Sequence, residues 1–203
     1  MADINNAVLW IIGIANDDAH GYDQINRWSP DYDCSSLVIT ALERAGFPVK
    51  SKFGATYTGN MRSALSNAGF TDVVGEVDLK TGKGLKVGDV LLKPYAHTEM
   101  VTGVNPVKLT GAHINENGRT TGGRRGDQTG KEISTIRYYN YPWKHVFRYM
   151  EKSVENVDKV ARDVIDGKYG NGVTRMIRLR MAGYDYNTVQ RRVNEILKEE
   201  SKK

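Results

Sequence analysis

The stretch Asp33-Cys-Ser-Ser-Leu-Val-Ile-Thr-Ala-Leu-Glu-Arg-Ala-Gly46 predicts a helix with a chemically reactive residue in its first turn. An apolar stripe follows it at helical spacing, formed by Leu37, Val38, Ala41, Leu42 and Ala45. Gly46 with Pro48 beyond it is a typical helix stop. Cys34 therefore lies at the helix N-terminus, where unpaired backbone N–H groups and the helix dipole favour a thiolate. Because Cys34 stands beside polar residues and outside the apolar stripe, the pattern indicates a nucleophile more than a buried apolar side chain.

Helices and then strands are predicted around this segment. Residues 4–16 carry apolar side chains at helical spacing after the capping residue Asp3, and a short helix is expected from about Met61 to Ala68. From Val87 the pattern changes to short apolar segments separated by Gly, Pro and Asn, which is typical of antiparallel strands. These segments are 89–92, 97–104, 107–114, 132–139 and 145–149. Helices followed by a small sheet predict an α+β domain over residues 1–150.

The last quarter of the chain predicts a separate small module. Residues 151–156 are polar and are interpreted as a linker. Three short apolar stripes follow, the second of them formed by Val173, Met176 and Ile177, so residues 157–198 are expected to form three helices. A module of about 42 residues is near the lower size limit for independent folding.

Composition limits the classes of protein and of site. The chain has 203 residues, of which 39% are hydrophobic and 26% charged, as in globular rather than disordered proteins. Its net charge of +5 favours a polyanionic partner such as nucleic acid or a bacterial wall polymer. One cysteine allows neither an intramolecular disulfide nor a thiolate zinc cluster. The apolar residues 7–15 are too few to span a membrane and lack the basic flank of a signal peptide, so we expect synthesis in the cytoplasm without membrane insertion.

A thiolate nucleophile needs a base that can also protonate a leaving amine, and His97 is the best candidate. It begins an alternating segment that places Glu99 on the same face. A third group that orients the imidazole is expected from a neighbouring strand, where His113 is the first choice and Asn115 the alternative. This chemistry requires no resident metal and no cofactor.

Two other chemistries would use some of the same residues. His97, Glu99, His113 and His20 could together hold a zinc ion with an open position, as in a zinc hydrolase. A helix-turn-helix contact with DNA could use the tail arginines, which are Arg175, Arg178, Arg180, Arg191 and Arg192. Such arginines more commonly form a solvated helix face, so we expect no nucleic-acid partner.

A glycine-rich loop in the tail predicts ligand binding. It reads Asp166-Gly-Lys-Tyr-Gly-Asn-Gly172, and its glycines, Gly170 among them, expose backbone groups beside an aromatic ring. Tyr169 could stack on a sugar ring while Asp166, Asn171 and Arg175 hydrogen-bond to polar substituents. The alternative is a plain turn between two helices.

Several separated motifs resemble one family of enzymes. The segment Trp28-Ser-Pro-Asp-Tyr-Asp-Cys-Ser-Ser36, with His20-Gly-Tyr22 before it, resembles the nucleophile region of the NlpC-type papain-like peptidoglycan hydrolases. The phage amidase branch found in endolysins of Gram-positive hosts has motifs similar to His97-Thr-Glu-Met-Val101, Ile114-Asn-Glu-Asn-Gly118, Gly126-Asp-Gln-Thr-Gly130 and Tyr138-Tyr-Asn-Tyr-Pro-Trp143. Residues 157–197 resemble the cell-wall-binding repeat of a pneumococcal phage lysozyme, present here in one copy.

The resemblance implies a papain-like endolysin that lyses the host cell by hydrolysing an amide bond in the peptidoglycan of Gram-positive bacteria. Cys34 would be the nucleophile and His97 the general base and then the acid. Substrate-binding residues would be Tyr22, Asp33, Ser35 and Glu99. The phage branch implies an N-acetylmuramoyl-L-alanine amidase, and a stem-peptide endopeptidase is the alternative. With a single wall-binding repeat, formation of a homo-oligomer would strengthen binding to the wall.

Overall fold

The structure is a computed structural model that describes residues 2–114, 120, 132–150, 154–182, 184 and 186–201. Asn115 and the motif 126–130 lie outside the described residues, as do positions 115–118 of the motif 114–118. The chain divides into two compact units, Met1–Tyr149 and Met150–Lys203. None of the described helices has the length and apolar character required of a membrane-spanning segment.

The first unit combines helices with an antiparallel sheet, which confirms the α+β class. Its helices are α1 (Ile4–Ala15), α2 (Cys34–Arg44) and α3 (Met61–Asn67), and a 3-10 turn covers Val74–Glu76. Its strands are β1 (Phe70–Asp72), β2 (Val90–Lys93), β3 (His97–Val104), β4 (Val107–Ala112), β5 (Ile133–Arg137) and β6 (His145–Tyr149). The sheet order is β1-β6-β2-β3-β4-β5. Strand β1 was not predicted, because three residues are too few to show alternation.

The sheet has an apolar core on each face, since successive side chains of a strand point to opposite sides. Val90, Leu92, Met100 and Phe147 belong to the core that includes the buried residues of α1 and α2. Leu91, Val101, Leu109 and Val146 belong to a second core that includes Trp143. Helix α2 packs against β3 and β4, so its first turn is held close to the beginning of β3.

Both ends of α2 are set by local interactions. The Asp33 carboxylate accepts the N–H of Ser36 at 2.7 Å, and the Ser36 hydroxyl accepts the N–H of Asp33 at 2.9 Å, which forms a capping box. Past the other end, Gly46 has φ +89°, and a Cβ there would lie 3.1 Å from the Cα of Ala2. The helix therefore begins at Cys34 and stops before Gly46, as the sequence predicts.

The second unit contains three helices: α4 (Val154–Ile165), α5 (Gly172–Met181) and α6 (Tyr186–Glu200). Helix α4 begins inside the range 151–156 that was predicted as a linker. The buried face of α5 also differs from the prediction. Leu179 is fully buried, whereas Val173 and Ile177 are 67% and 50% exposed. A helix of 10 residues offers more than one apolar stripe, and only its packing against the other helices selects one.

Candidate functional site

The site lies where the first turn of α2 meets the beginning of β3. Cys34 is the first residue of α2 and is 8% exposed, and His97 is the first residue of β3. The Cys34 thiol lies close enough to the His97 ring to contribute to the raised pKa of the imidazole. The structure thus brings together the two residues that the sequence analysis selected as nucleophile and base.

The other side of the imidazole faces Glu99. Nε2 of His97 lies 2.9 Å from Oε1 of Glu99, because residues two apart on a strand share a face. The hydroxyl of Tyr139 donates to the same Oε1 at 2.5 Å. Glu99 is completely buried. The group hydrogen-bonded to His97 is therefore Glu99, which the sequence predicted as a substrate-binding residue and as a member of a possible zinc set.

His113 also reaches the site, but without a hydrogen bond to His97. The two imidazole rings are 5.1 Å apart between centroids, and Nε2 of His113 is 3.8 Å from Oε1 of Glu99. Gly111, near the end of β4, explains how Glu99 occupies the intervening position. A Cβ at residue 111 would lie only 2.6 Å from Cγ of Glu99, so glycine leaves the space that this side chain fills.

The two histidines have different charge states. Burial lowers the pKa of His97, but the hydrogen bonds to Cys34 and Glu99 outweigh this effect and raise the pKa to about 9. Burial likewise lowers the pKa of His113, where the Glu99 charge only partly compensates. At neutral pH His97 is therefore an imidazolium between a thiol group and a carboxylate, whereas His113 is a neutral imidazole.

Aromatic side chains form one wall around His97. Trp143 stacks against the imidazole with a centroid distance of 5.8 Å, and Tyr141 meets it edge-on at 5.6 Å. Together with Tyr139, these residues restrict the ring and limit the access of water. The sequence analysis did not assign them to the site. The sequence feature that could have identified them is the high aromatic content of residues 138–143. In the sequence these residues contributed only to the resemblance to the phage amidase branch.

Asp33 and Ser35 support the beginning of α2. The Ser35 hydroxyl donates to Oδ1 of Asp33 at 2.9 Å, and the Arg27 guanidinium donates to Oδ2 of Asp33 at 2.5 Å. Arg27 also donates to the carbonyl of Thr56 at 2.7 Å and so ties a neighbouring loop to this helix. The sequence contains no pattern that selects Arg27. Both predicted substrate-binding side chains are thus engaged within the protein.

Tyr22 is buried near Cys34, whereas His20 is placed elsewhere. Burial raises the pKa of Tyr22 to about 12, and its hydroxyl accepts a hydrogen bond from Gln24 at 3.0 Å. His20 lies against the carbonyl of Pro30 through Nδ1 at 2.5 Å. Of the four residues considered for a zinc set, the structure brings together His97, Glu99 and His113, and His20 is not among them.

In the second unit, Arg175 organises the glycine-rich loop. Its guanidinium donates to the carbonyl of Gly170 and to the side chains of Asn171 and Gln190, each at 3.0 Å. Tyr169 packs partly against the core of this unit, and Asp166 has an exposed side chain. The structure brings Tyr169, Gly170, Asn171 and Arg175 together, with Arg175 holding the loop to α6.

Two family models match this chain. Residues 29–105 match an endolysin-like domain, and residues 158–197 match the CW_7 repeat. No curated protein and no solved structure shows a significant match to the chain. The first match includes Cys34, His97 and Glu99, and the second includes the loop 166–172. The two matches support a phage endolysin that degrades the cell wall and carries a repeat that binds cell-wall peptidoglycan.

Proposed function

We propose that residues 1–150 are an NlpC-type cysteine hydrolase that cleaves an amide bond in the peptidoglycan of Gram-positive bacteria, as an N-acetylmuramoyl-L-alanine amidase. The observation that carries this proposal is the line from the Cys34 thiol, which contributes to the raised pKa of His97, through His97 to Glu99, whose Oε1 lies 2.9 Å from Nε2 of His97. Such a line joins a nucleophile, a base and an orienting group in the order that acyl transfer requires. The enzyme is made in the host cytoplasm and acts on the wall after its release.

The reaction proceeds through a thioester. The Cys34 thiolate attacks the amide carbonyl, and backbone N–H groups at the start of α2 stabilise the oxyanion that forms. The His97 imidazolium donates its proton to the departing amine as the C–N bond breaks. The neutral imidazole then takes a proton from water, whose oxygen attacks the thioester and releases the acid and the thiolate. No redox step and no cofactor are needed.

Glu99 orients His97 in this mechanism. Its buried carboxylate accepts the Nε2 proton, leaves Nδ1 of His97 for the thiol, and favours the imidazolium electrostatically. Tyr139 restrains the carboxylate through its own hydrogen bond. His113 is the residue that the sequence favoured for this role. Its Nε2 lies 3.8 Å from Oε1 of Glu99, and His97 is hydrogen-bonded to Glu99 instead.

Mapping of the products tests the reaction. Purified Gram-positive walls are digested, soluble fragments are identified by mass spectrometry, and newly exposed amino termini are labelled. We expect a new L-Ala terminus and complete loss of release after alkylation of Cys34. A different stem-peptide terminus would establish the endopeptidase. Release that survives alkylation but stops with a chelator would establish a zinc hydrolase built on His97, Glu99 and His113.

We further propose that residues 157–198 bind the wall through the loop 166–172, using Asp166, Tyr169, Gly170, Asn171 and Arg175. The exposed carboxylate of Asp166 is the part of the loop that can be changed with least effect on packing. A homo-oligomer would present several copies of this single repeat to the wall.

The variant Asp166→Ala is expected to weaken sedimentation with purified walls by about 3- to 10-fold, because one hydrogen bond to a ligand is worth roughly 0.5–1.5 kcal/mol. Hydrolysis of intact walls should fall with it, whereas hydrolysis of a small soluble muropeptide should not. The matched control is Asn187→Ala, an exposed position in the same unit. Equal losses on both substrates would contradict a role for the loop in wall binding.

A further inference from the structure

Three potential metal ligands converge beside the nucleophile. One ligand atom each from His97, Glu99 and His113 lies within 4.8 Å of the other two. Oε1 of Glu99 is 2.9 Å from Nε2 of His97 and 3.8 Å from Nε2 of His113. The carboxylate is completely buried, and the imidazoles of His97 and His113 are 13% and 23% exposed. The two histidine rings therefore form the partly exposed side of the cluster.

The catalytic mechanism leaves two of these polar atoms unused. Among the residues that the structure describes, Oε2 of Glu99 and Nε2 of His113 are buried without a hydrogen-bond partner. A buried polar atom without a partner is costly, by about 1–3 kcal/mol. Nε2 of His113 lies 3.8 Å from Oε1 of Glu99, the oxygen that faces Nε2 of His97. The arrangement is thus incomplete as a set of protein hydrogen bonds, and a bound cation would complete it.

The spacing suits zinc. Zn–N and Zn–O bonds of about 2.0–2.1 Å in a tetrahedral site place neighbouring ligand atoms about 3.4 Å apart. The separations of Oε1 of Glu99 from the two histidine nitrogens, 2.9 and 3.8 Å, lie on either side of that value, and all three ligand atoms lie within 4.8 Å of one another. Two imidazoles and one carboxylate also favour zinc over magnesium or calcium, which prefer oxygen ligands.

We propose that His97, Glu99 and His113 form an inhibitory zinc site. The ion binds Nε2 of His97 in place of the proton that this nitrogen donates to Glu99, and one proton is released to solvent. The remaining proton of the ring stays on Nδ1, the nitrogen that does not bind zinc. The imidazole can then neither accept a proton from the thiol nor activate water against the thioester. The inference that zinc inhibits the enzyme rests on the proposed function, whereas the inference that zinc binds does not.

Zinc binding is tested without reference to activity. Isothermal titration of the full-length Cys34→Ser protein, which lacks the thiol as a competing ligand, is expected to show a zinc site of one-to-one stoichiometry. Adding His113→Ala to this protein should weaken that site by on the order of 100-fold. The control is His145→Gln, which removes a histidine that pairs with Asp72 outside the cluster. Absence of binding, or equal binding with and without His113, would overturn the site.

Inhibition is tested on the wild-type protein with wall hydrolysis as the readout. Zinc is expected to lower the rate, and addition of a chelator should restore it. Magnesium and calcium at the same concentration are not expected to lower the rate. For the His113→Ala protein, inhibition is measured relative to the rate of that variant without metal. Half-inhibition of the variant should need a zinc concentration about 100-fold higher than half-inhibition of the wild type. Activation by zinc would overturn the proposal together with the cysteine mechanism. Binding that depends on His113 in a protein without any hydrolase activity would keep the site and refute only the proposed function.

Discussion

Replacement of Cys34 by alanine is expected to reduce hydrolysis of purified cell walls by about 10⁴-fold or more, while the protein still sediments with the walls. The loss is large because no other group can form the thioester, and the remaining residues supply only binding and oxyanion stabilisation. The measurement is release of soluble fragments over time, with circular dichroism to show that the variant is folded. Alanine fits the space of the small Cys34 side chain, so the fold should be retained.

The single cysteine provides a matched chemical control for this variant. Alkylation of the wild-type protein can modify only Cys34 among thiols, so it should reproduce the loss seen in Cys34→Ala. The same treatment should leave any residual activity of the variant unchanged. A variant that keeps more than a tenth of the wild-type rate would show that the nucleophile lies elsewhere.

Substitution of Glu99 by glutamine is expected to lower kcat/KM by about 10²- to 10⁴-fold. Glutamine retains the size of the side chain and an oxygen that can accept from His97 and Tyr139, but it removes the charge that stabilises the imidazolium. The effect should therefore appear in catalysis without a comparable loss of folding stability. The matched control is Glu43→Gln, a carboxylate nine residues further along α2 and about 14 Å from Cys34 along the helix.

The pH profile separates an orienting role of Glu99 from a purely structural one. Burial lowers the pKa of His97, but hydrogen bonds to Cys34 and Glu99 raise it to about 9, so wild-type kcat/KM should fall as the pH rises through about 9. Without the Glu99 charge the imidazolium is less stable, and this falling limb should move to lower pH. If Glu99→Gln keeps the wild-type limb while the His113→Gln variant shifts it, His113 is the orienting group.

The sequence alone was sufficient to place Cys34 at the beginning of α2 and His97 at the beginning of β3, because their positions depend on local interactions. Asp33 caps α2 through the N–H of Ser36, and Gly46 ends the helix in a conformation that other residues adopt only with strain. Alternation and turn residues likewise place His97 at the first position of β3. Each of these features is encoded within a few residues of the position that it determines.

The partner of His97 could be decided only by the tertiary structure. The sequence offers both Glu99, which shares a face with His97, and His113 on a neighbouring segment, and both a carboxylate and a histidine can orient an imidazole. The choice depends on how β3 and β4 lie against each other. Gly111 leaves the space into which Glu99 fits, and Tyr139, 40 residues away in sequence, holds its carboxylate. Contacts between distant segments of the chain are set by packing, which leaves no periodic signal in the sequence of either segment.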